Sequence, residues 1–272
     1  MVFKIKKIKN LSYKLLFLLF IGILPSCTTV PYTERNQFIV TSENEEIQLG
    51  QTAWNDTQKS NKISTNKQYS STLERVGARL APAADKKNYN WEFLVFESDT
   101  ANAFCLPGGK IAVFSEMFKI ARNDPELAAV VGHEIAHAVA RHGGERITHL
   151  YSQQLGSAVL ATVLAQVNVS GDWSQVFGIV SNLGVILPYS RTQEYEADHI
   201  GMIIMAKAGY NPNATVTFWE KYSKQNDYGA FQEFFTTHPM GEKRLKEIKR
   251  LLPEINKNYY NVPEKSNIIE KF

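Results

Sequence analysis

Residues 130–144 read VVGHEIAHAVARHGG and contain HEIAH, two histidines four apart with a glutamate directly after the first. The chain holds only 6 histidines in 272 residues. A fixed pattern of two His and one Glu is then expected by chance about 0.01 times in a chain of this size. The flanks favour a helix. Asp124-Pro125-Glu126 offers a capping side chain, a proline at the first helical position and an acid in the first turn, and Gly143-Gly144 is a matching stop. On a helix of about 18 residues between these signals, His133 and His137 project from one face, one turn apart. Two imidazoles so placed can grip one ion.

Zinc with two histidine ligands needs at least one more protein ligand, and a hydrolytic site keeps a position open for water. Glutamate is a common third ligand. Downstream, EYEAD at 194–198 supplies Glu194, Glu196 and Asp198 on a segment with helical spacing. Glu194 and Asp198 share a face, whereas Glu196 points elsewhere. One of that pair suffices for the metal, and the other can accept a hydrogen bond from a ligating imidazole and fix its tautomer. Zinc would make hydroxide available at neutral pH. Glu134, beside a ligating histidine, can take the water's proton and pass it to a leaving amine. His238, in TTHPM, is the candidate donor to the oxyanion formed at the attacked carbonyl.

Four motifs in order, NAFCLPGG at 102–109, HEIAH at 133–137, EYEAD at 194–198 and TTHP at 236–239, resemble the HtpX/CAAX-prenyl-protease family of zinc metallopeptidases. Within it the likeness is to the periplasmic lipoprotein branch of the BepA and LoiP type, over nearly all of the expected mature chain, from about Glu43 to Leu252. The resemblance implies an α+β, mainly helical, gluzincin-like domain with a small β-sheet flanking the HEIAH helix. It implies one zinc per chain on His133, His137 and Glu194, with Glu134 as general base and Asp198 as supporting acid. It puts His238 close to the metal, where it stabilises the oxyanion or fills the open position of a latent state. The strand ahead of the HEIAH helix would be the edge on which an extended peptide binds, lined by Asn102, Ala103 and Phe104. Substrates implied are misfolded or unassembled envelope proteins, with the envelope assembly machinery as a partner.

The first 26 residues carry five lysines and no acid, then the apolar run LLFLLFIGIL and LPSC, the layout of a lipoprotein signal. Cys27 would be the acylated first residue and a membrane anchor, residues 27–42 a tether, and 43–272 the peptidase domain. With no acid at Thr28, the outer membrane, facing the periplasm, is the expected location. Removing five lysines from the 30 basic residues leaves 25 against 27 acidic ones, so the basicity belongs to the leader. No basic run is interleaved with stacking aromatics, which argues against nucleic acid. Cys105 is then the lone thiol and reads as a small buried residue.

Helical spacing marks 43–59, 71–83, 190–208, 212–226 and 241–251, and strand character marks 91–97 and 110–115, with Pro107-Gly108-Gly109 as a turn. Segments 155–169 and 176–187 are apolar but too short to span a bilayer. His142, five positions past His137, reads as rotated off the metal face and as a charge at the helix C-terminus. His149 and His199 lack a spacing partner, Arg191 reads as an ion-pair residue, and Trp91, Trp173 and Trp219 read as core. A rival reading is a zinc-stabilised chaperone or assembly factor with weak or gated proteolysis; a hydrolase for non-peptide substrates has no motif of its own.

Overall fold

The computed structural model describes residues 27–153, 189–223, 234, 236–239 and 241–260. The leader at 1–26, the apolar segments 155–169 and 176–187, and Trp173 lie outside the described residues. The architecture is α+β and mainly helical. A hairpin, β1 (Cys27–Thr29) antiparallel to β2 (Asn36–Phe38), precedes helices α1 (Glu43–Ser60) and α2 (Lys67–Ala83). Strands β3 (Glu92–Phe96), β4 (Ala103–Leu106) and β5 (Lys110–Phe114) follow, then α3 (Asp124–Val139), α4 (Arg191–Lys207), α5 (Asn213–Ser223) and α6 (Glu242–Asn258). No helix among the described residues is long and apolar enough to cross a membrane.

The sheet order is β3-β5-β4, with β3 parallel and β4 antiparallel to β5. Gly108 and Gly109, at φ 89° and 84°, make the β4–β5 turn in a region that only glycine enters freely. Alternation splits β4 between two faces. Ala103 and Cys105 join the main core under α3, whereas Phe104 and Leu106 pack with Trp54, Phe96 and Ala112 on the far side, beneath α1.

Helix α3 is apolar on nearly every side, the pattern of a central helix, and it is buried from Glu126 to Val139. Its cap is Asn123, whose side chain accepts from the Glu126 N–H at 3.0 Å. Asp124, read from the sequence as the cap, is instead inside the helix, where it accepts two 2.8 Å hydrogen bonds from Arg75. Nor does Gly143-Gly144 stop the helix. The break falls at Arg141, left-handed at φ 58°, and helix resumes at 142. The 16-residue α3 packs chiefly on α4, and two glycines set their separation. A Cβ on Gly201 would lie 3.0 Å from the His133 backbone N and 3.1 Å from Gly132 C and O; one on Gly132 would lie 3.2 Å from Gly201 O. Any side chain at these positions would push apart the two helices that carry the HEIAH and EYEAD motifs.

Residues 27–42 are not a free tether. Val30 is fully buried in the main core, and Gln37 donates from Nε2 to the Ala140 carbonyl, at the end of α3, at 2.7 Å. Cys27 pairs with Phe38 in the hairpin.

Candidate metal centre

Helix α3 presents His133, Glu134 and His137, α4 presents Glu194 and Asp198, and His238 comes from the segment before α6; all are buried. One donor atom each from His133, His137, Glu194 and His238 falls within 4.8 Å of the others. His133 Nε2 lies 3.1 Å from His137 Nε2 and 3.2 Å from His238 Nδ1. The Glu194 carboxylate lies 3.5 Å from His133 Nε2, 3.4 Å from His137 Nε2 and 3.1 Å from His238 Nδ1. A tetrahedron of zinc bonds about 2.0–2.1 Å long has edges of about 3.3 Å, so these spacings are those of donors arranged around one zinc ion. Converging imidazole lone pairs repel unless a cation or proton lies among them. The donor set therefore fits the metal.

Tautomers follow from the outer contacts. His133 Nδ1 lies 3.0 Å from Asp198 Oδ1, so its N–H points to the carboxylate and its Nε2 lone pair faces the cluster. Burial disfavours the charged ring, but the contacts to Asp198 and Glu194 outweigh it, and without metal the pKa of His133 rises to about 9. Burial pushes His137 well down. Burial would raise Glu194, but Arg244 and then His238 hold its carboxyl far below the usual range. Glu134 is raised by burial, the direction that suits a group that must both take and give a proton. Its Oε1 is buried without a hydrogen bond and lies 3.4 Å from His238 Nε2.

Sequence reasoning missed three residues. Arg244, on α6, is 3% exposed and donates to Asp198 through Nε at 2.5 Å and Nη2 at 2.8 Å, while Nη1 pairs with Glu194. Its guanidinium lies 4.2 Å from the ring centre of Trp219, itself edge-on to His133 at 5.7 Å. A signal existed: Arg244 shares the helix face of Ile248, Leu251, Leu252 and Ile255, where a cation needs a buried partner. Tyr189 stacks on His137 at 3.7 Å. His142, expected off the metal face as a charge at the helix C-terminus, is fully buried and its Nδ1 lies 2.8 Å from His137 Nδ1. Glu196, expected to point elsewhere, does leave the metal face but reaches His142 Nε2 at 3.0 Å. Of the residues expected along the cleft, Asn102 and Ala103 are buried, with Ala103 under α3, whereas the Phe104 side chain packs beside Phe114 on the other face of the sheet. Only its backbone, on edge strand β4, can face a peptide. Cys105 is buried and its thiol pushed up by burial.

The pattern of Peptidase family M48 matches residues 67–252, more than half of the chain. The chain belongs to Peptidase family M48. That family uses zinc, and its enzymes are metallopeptidases. Among relatives, the mitochondrial metalloendopeptidase OMA1 of Schizosaccharomyces pombe is 34% identical over 83% of this chain and 66% of its own length. OMA1 of Saccharomyces cerevisiae is 31% identical over 84% and 70%. The beta-barrel assembly-enhancing protease of Escherichia coli K12 is 29% identical over 65% of this chain and 37% of its own. The chain thus spans just under two thirds of the fission-yeast protein and little more than a third of the bacterial one. The expected outer-membrane, periplasm-facing location is overturned, because the OMA1 relatives, of higher identity than the bacterial one, are mitochondrial proteins by name.

Proposed function

We propose that this M48 chain is a zinc-dependent endopeptidase that cleaves unfolded or unassembled proteins, with His133, His137 and Glu194 as ligands and Glu134 as general base. The observation that carries the reading is that His133 Nε2 lies 3.1 Å from His137, 3.2 Å from His238 and 3.5 Å from Glu194, near the edge lengths of a zinc tetrahedron, beside a buried carboxylate oxygen that accepts no hydrogen bond. When bound, zinc supplies Lewis acidity, which acidifies water and polarises a carbonyl. Asp198 holds the Nδ1–H of His133, and Arg244 holds Asp198 and Glu194 ionised. Glu134, kept from solvent, takes a proton from the attacking water and delivers it to the amine that leaves. Among the described residues β4 is an outer strand of its sheet and lies beside α3, so its edge can offer backbone hydrogen bonds to an extended peptide, which suits unfolded substrates. The name of the Escherichia coli relative supports, for that relative, a link to barrel assembly.

A second reading, gating, rests on His238. Its Nδ1 sits 3.1 Å from Glu194 and 3.2 Å from His133, within reach of the position that water would need. In that reading the resting chain is latent, and binding of client proteins precedes cleavage. Casein hydrolysis by the zinc-loaded wild type, Glu134→Gln and His238→Ala separates the readings. Cleavage lost in Glu134→Gln with zinc retained supports the peptidase. Cleavage gained in His238→Ala supports gating, and a fall of about 10²–10³-fold assigns His238 to the oxyanion instead. No cleavage by any form, zinc bound, sinks the peptidase.

A further inference from the structure

We propose that His142, Glu196 and Arg35 form a positioning relay that fixes the ring of His137 as a metal ligand, making the N-terminal hairpin part of the metal centre. The inference rests on the zinc reading above. His137 Nδ1 and His142 Nδ1 are 2.8 Å apart, so one donates and the other accepts. His142 Nε2 lies 3.0 Å from Glu196 Oε2, a carboxylate oxygen that can only accept. The hydrogen of the neutral His142 ring is thereby held on Nε2, and its Nδ1 is left as the acceptor. His137 must donate from Nδ1, which puts its lone pair on Nε2, the atom that faces His133 and Glu194. The reverse pattern would place a hydrogen on His137 Nε2 and aim it into the cluster.

Glu196 is itself anchored. Its Oε1 accepts from Arg35 Nε at 2.7 Å and from Thr33 Oγ1 at 3.1 Å. Arg35 is held in turn by a two-pronged bond to Glu145, Nη1 to Oε1 at 2.7 Å and Nη2 to Oε2 at 2.9 Å, and Gln193 Nε2 donates to the same carboxylate at 2.8 Å. Thr33 and Arg35 belong to the hairpin, which lies before the residues matched by the family pattern. The turn at Arg141 makes this possible. In an unbroken helix, five residues carry His142 away from His137, and the left-handed residue turns the chain so that the two rings meet edge to face at 5.0 Å.

The test is zinc affinity, measured by chelator competition on the full chain, with the visible spectrum of the cobalt-substituted protein as the signature of ligand geometry. Variants are Glu196→Gln, close to isosteric, and Arg35→Ala and Arg35→Lys, whose partly exposed side chain leaves the core intact. Removing such outer contacts typically weakens metal binding about 10–100-fold. The expected result is a loss of that order in Glu196→Gln and Arg35→Ala with a shifted cobalt spectrum, and partial recovery in Arg35→Lys. A purely structural role predicts lower thermal stability of the metal-free chain with zinc affinity within twofold of wild type and an unchanged spectrum, and that outcome overturns the relay. Wild-type protein that binds no zinc would instead overturn the metal reading itself.

Discussion

Replacing Arg244 by leucine should be among the most damaging single changes in the metal-free chain. The guanidinium is almost wholly buried and makes ion pairs with both Glu194 and Asp198, neither of which can reach solvent. Removing one partner of a buried pair costs about 3–5 kcal/mol, because the carboxylates are left uncompensated in a medium that solvates them poorly. For a chain of this size that corresponds to a fall in Tm of about 6–20 °C. The sign with pH follows from the carboxyls. Both have folded pKa values below their usual ones, chiefly because Arg244 outweighs burial. Their stabilisation is present above the ordinary carboxylate range and fades as pH falls through it. The deficit of Arg244→Leu should therefore be largest at neutral pH and shrink in acid. Zinc should narrow it as well, since a dication compensates the same carboxylates. The assay is thermal unfolding of the stripped and zinc-loaded chain at pH 7 and pH 4. A stripped variant within about 2 °C of wild type at pH 7 would refute the reasoning.

Glu134→Gln, which keeps size and loses the base, should lower kcat for casein by about 10²–10⁴-fold while bound zinc, measured by elemental analysis, is unchanged. Gly201→Ala places a methyl 3.0 Å from His133 N and should cost about 1–3 kcal/mol in denaturant unfolding, with weaker zinc binding because α3 and α4 separate. Glu196 is favoured as the anion by His142 and Arg35, which outweigh burial and bring its pKa to about 2. Its contribution should be complete above about pH 4.5 and lost as pH falls towards 2, so Glu196→Gln should flatten the acid limb of the stability profile measured between those values.

What the sequence made legible is local. HEIAH and EYEAD each lie on one continuous helix, so a period of 3.6 brings His133 and His137 together, and Glu194 and Asp198 together, without knowledge of anything distant. The parallel pairing of β3 with β5 and the face of β4 that meets α3 depend on contacts between segments, so the resemblance that lines the cleft with Phe104 does not show that its side chain turns to the other face of the sheet. The apolar face of α6 that Arg244 shares with Ile248, Leu251, Leu252 and Ile255 is readable by spacing, but its partners Asp198 and Glu194 show only through packing against α4. His142 was misread for a sharper reason. Its place relative to His137 depends on one non-glycine residue, Arg141, adopting a positive φ, which no spacing rule anticipates. The hairpin reads as a tether from sequence because Arg35 and Thr33 act through residues more than a hundred positions away.

The central claim is that His133, His137 and Glu194 hold one catalytic zinc. Zinc per chain, measured by elemental analysis after dialysis, with X-ray absorption of the bound metal in wild type and Glu194→Ala, tests it most directly. The account predicts one zinc per chain with imidazole nitrogens at about 2.0–2.1 Å, and occupancy largely lost in Glu194→Ala. Wild-type protein without stoichiometric zinc, or a coordination shell lacking imidazole, would contradict it.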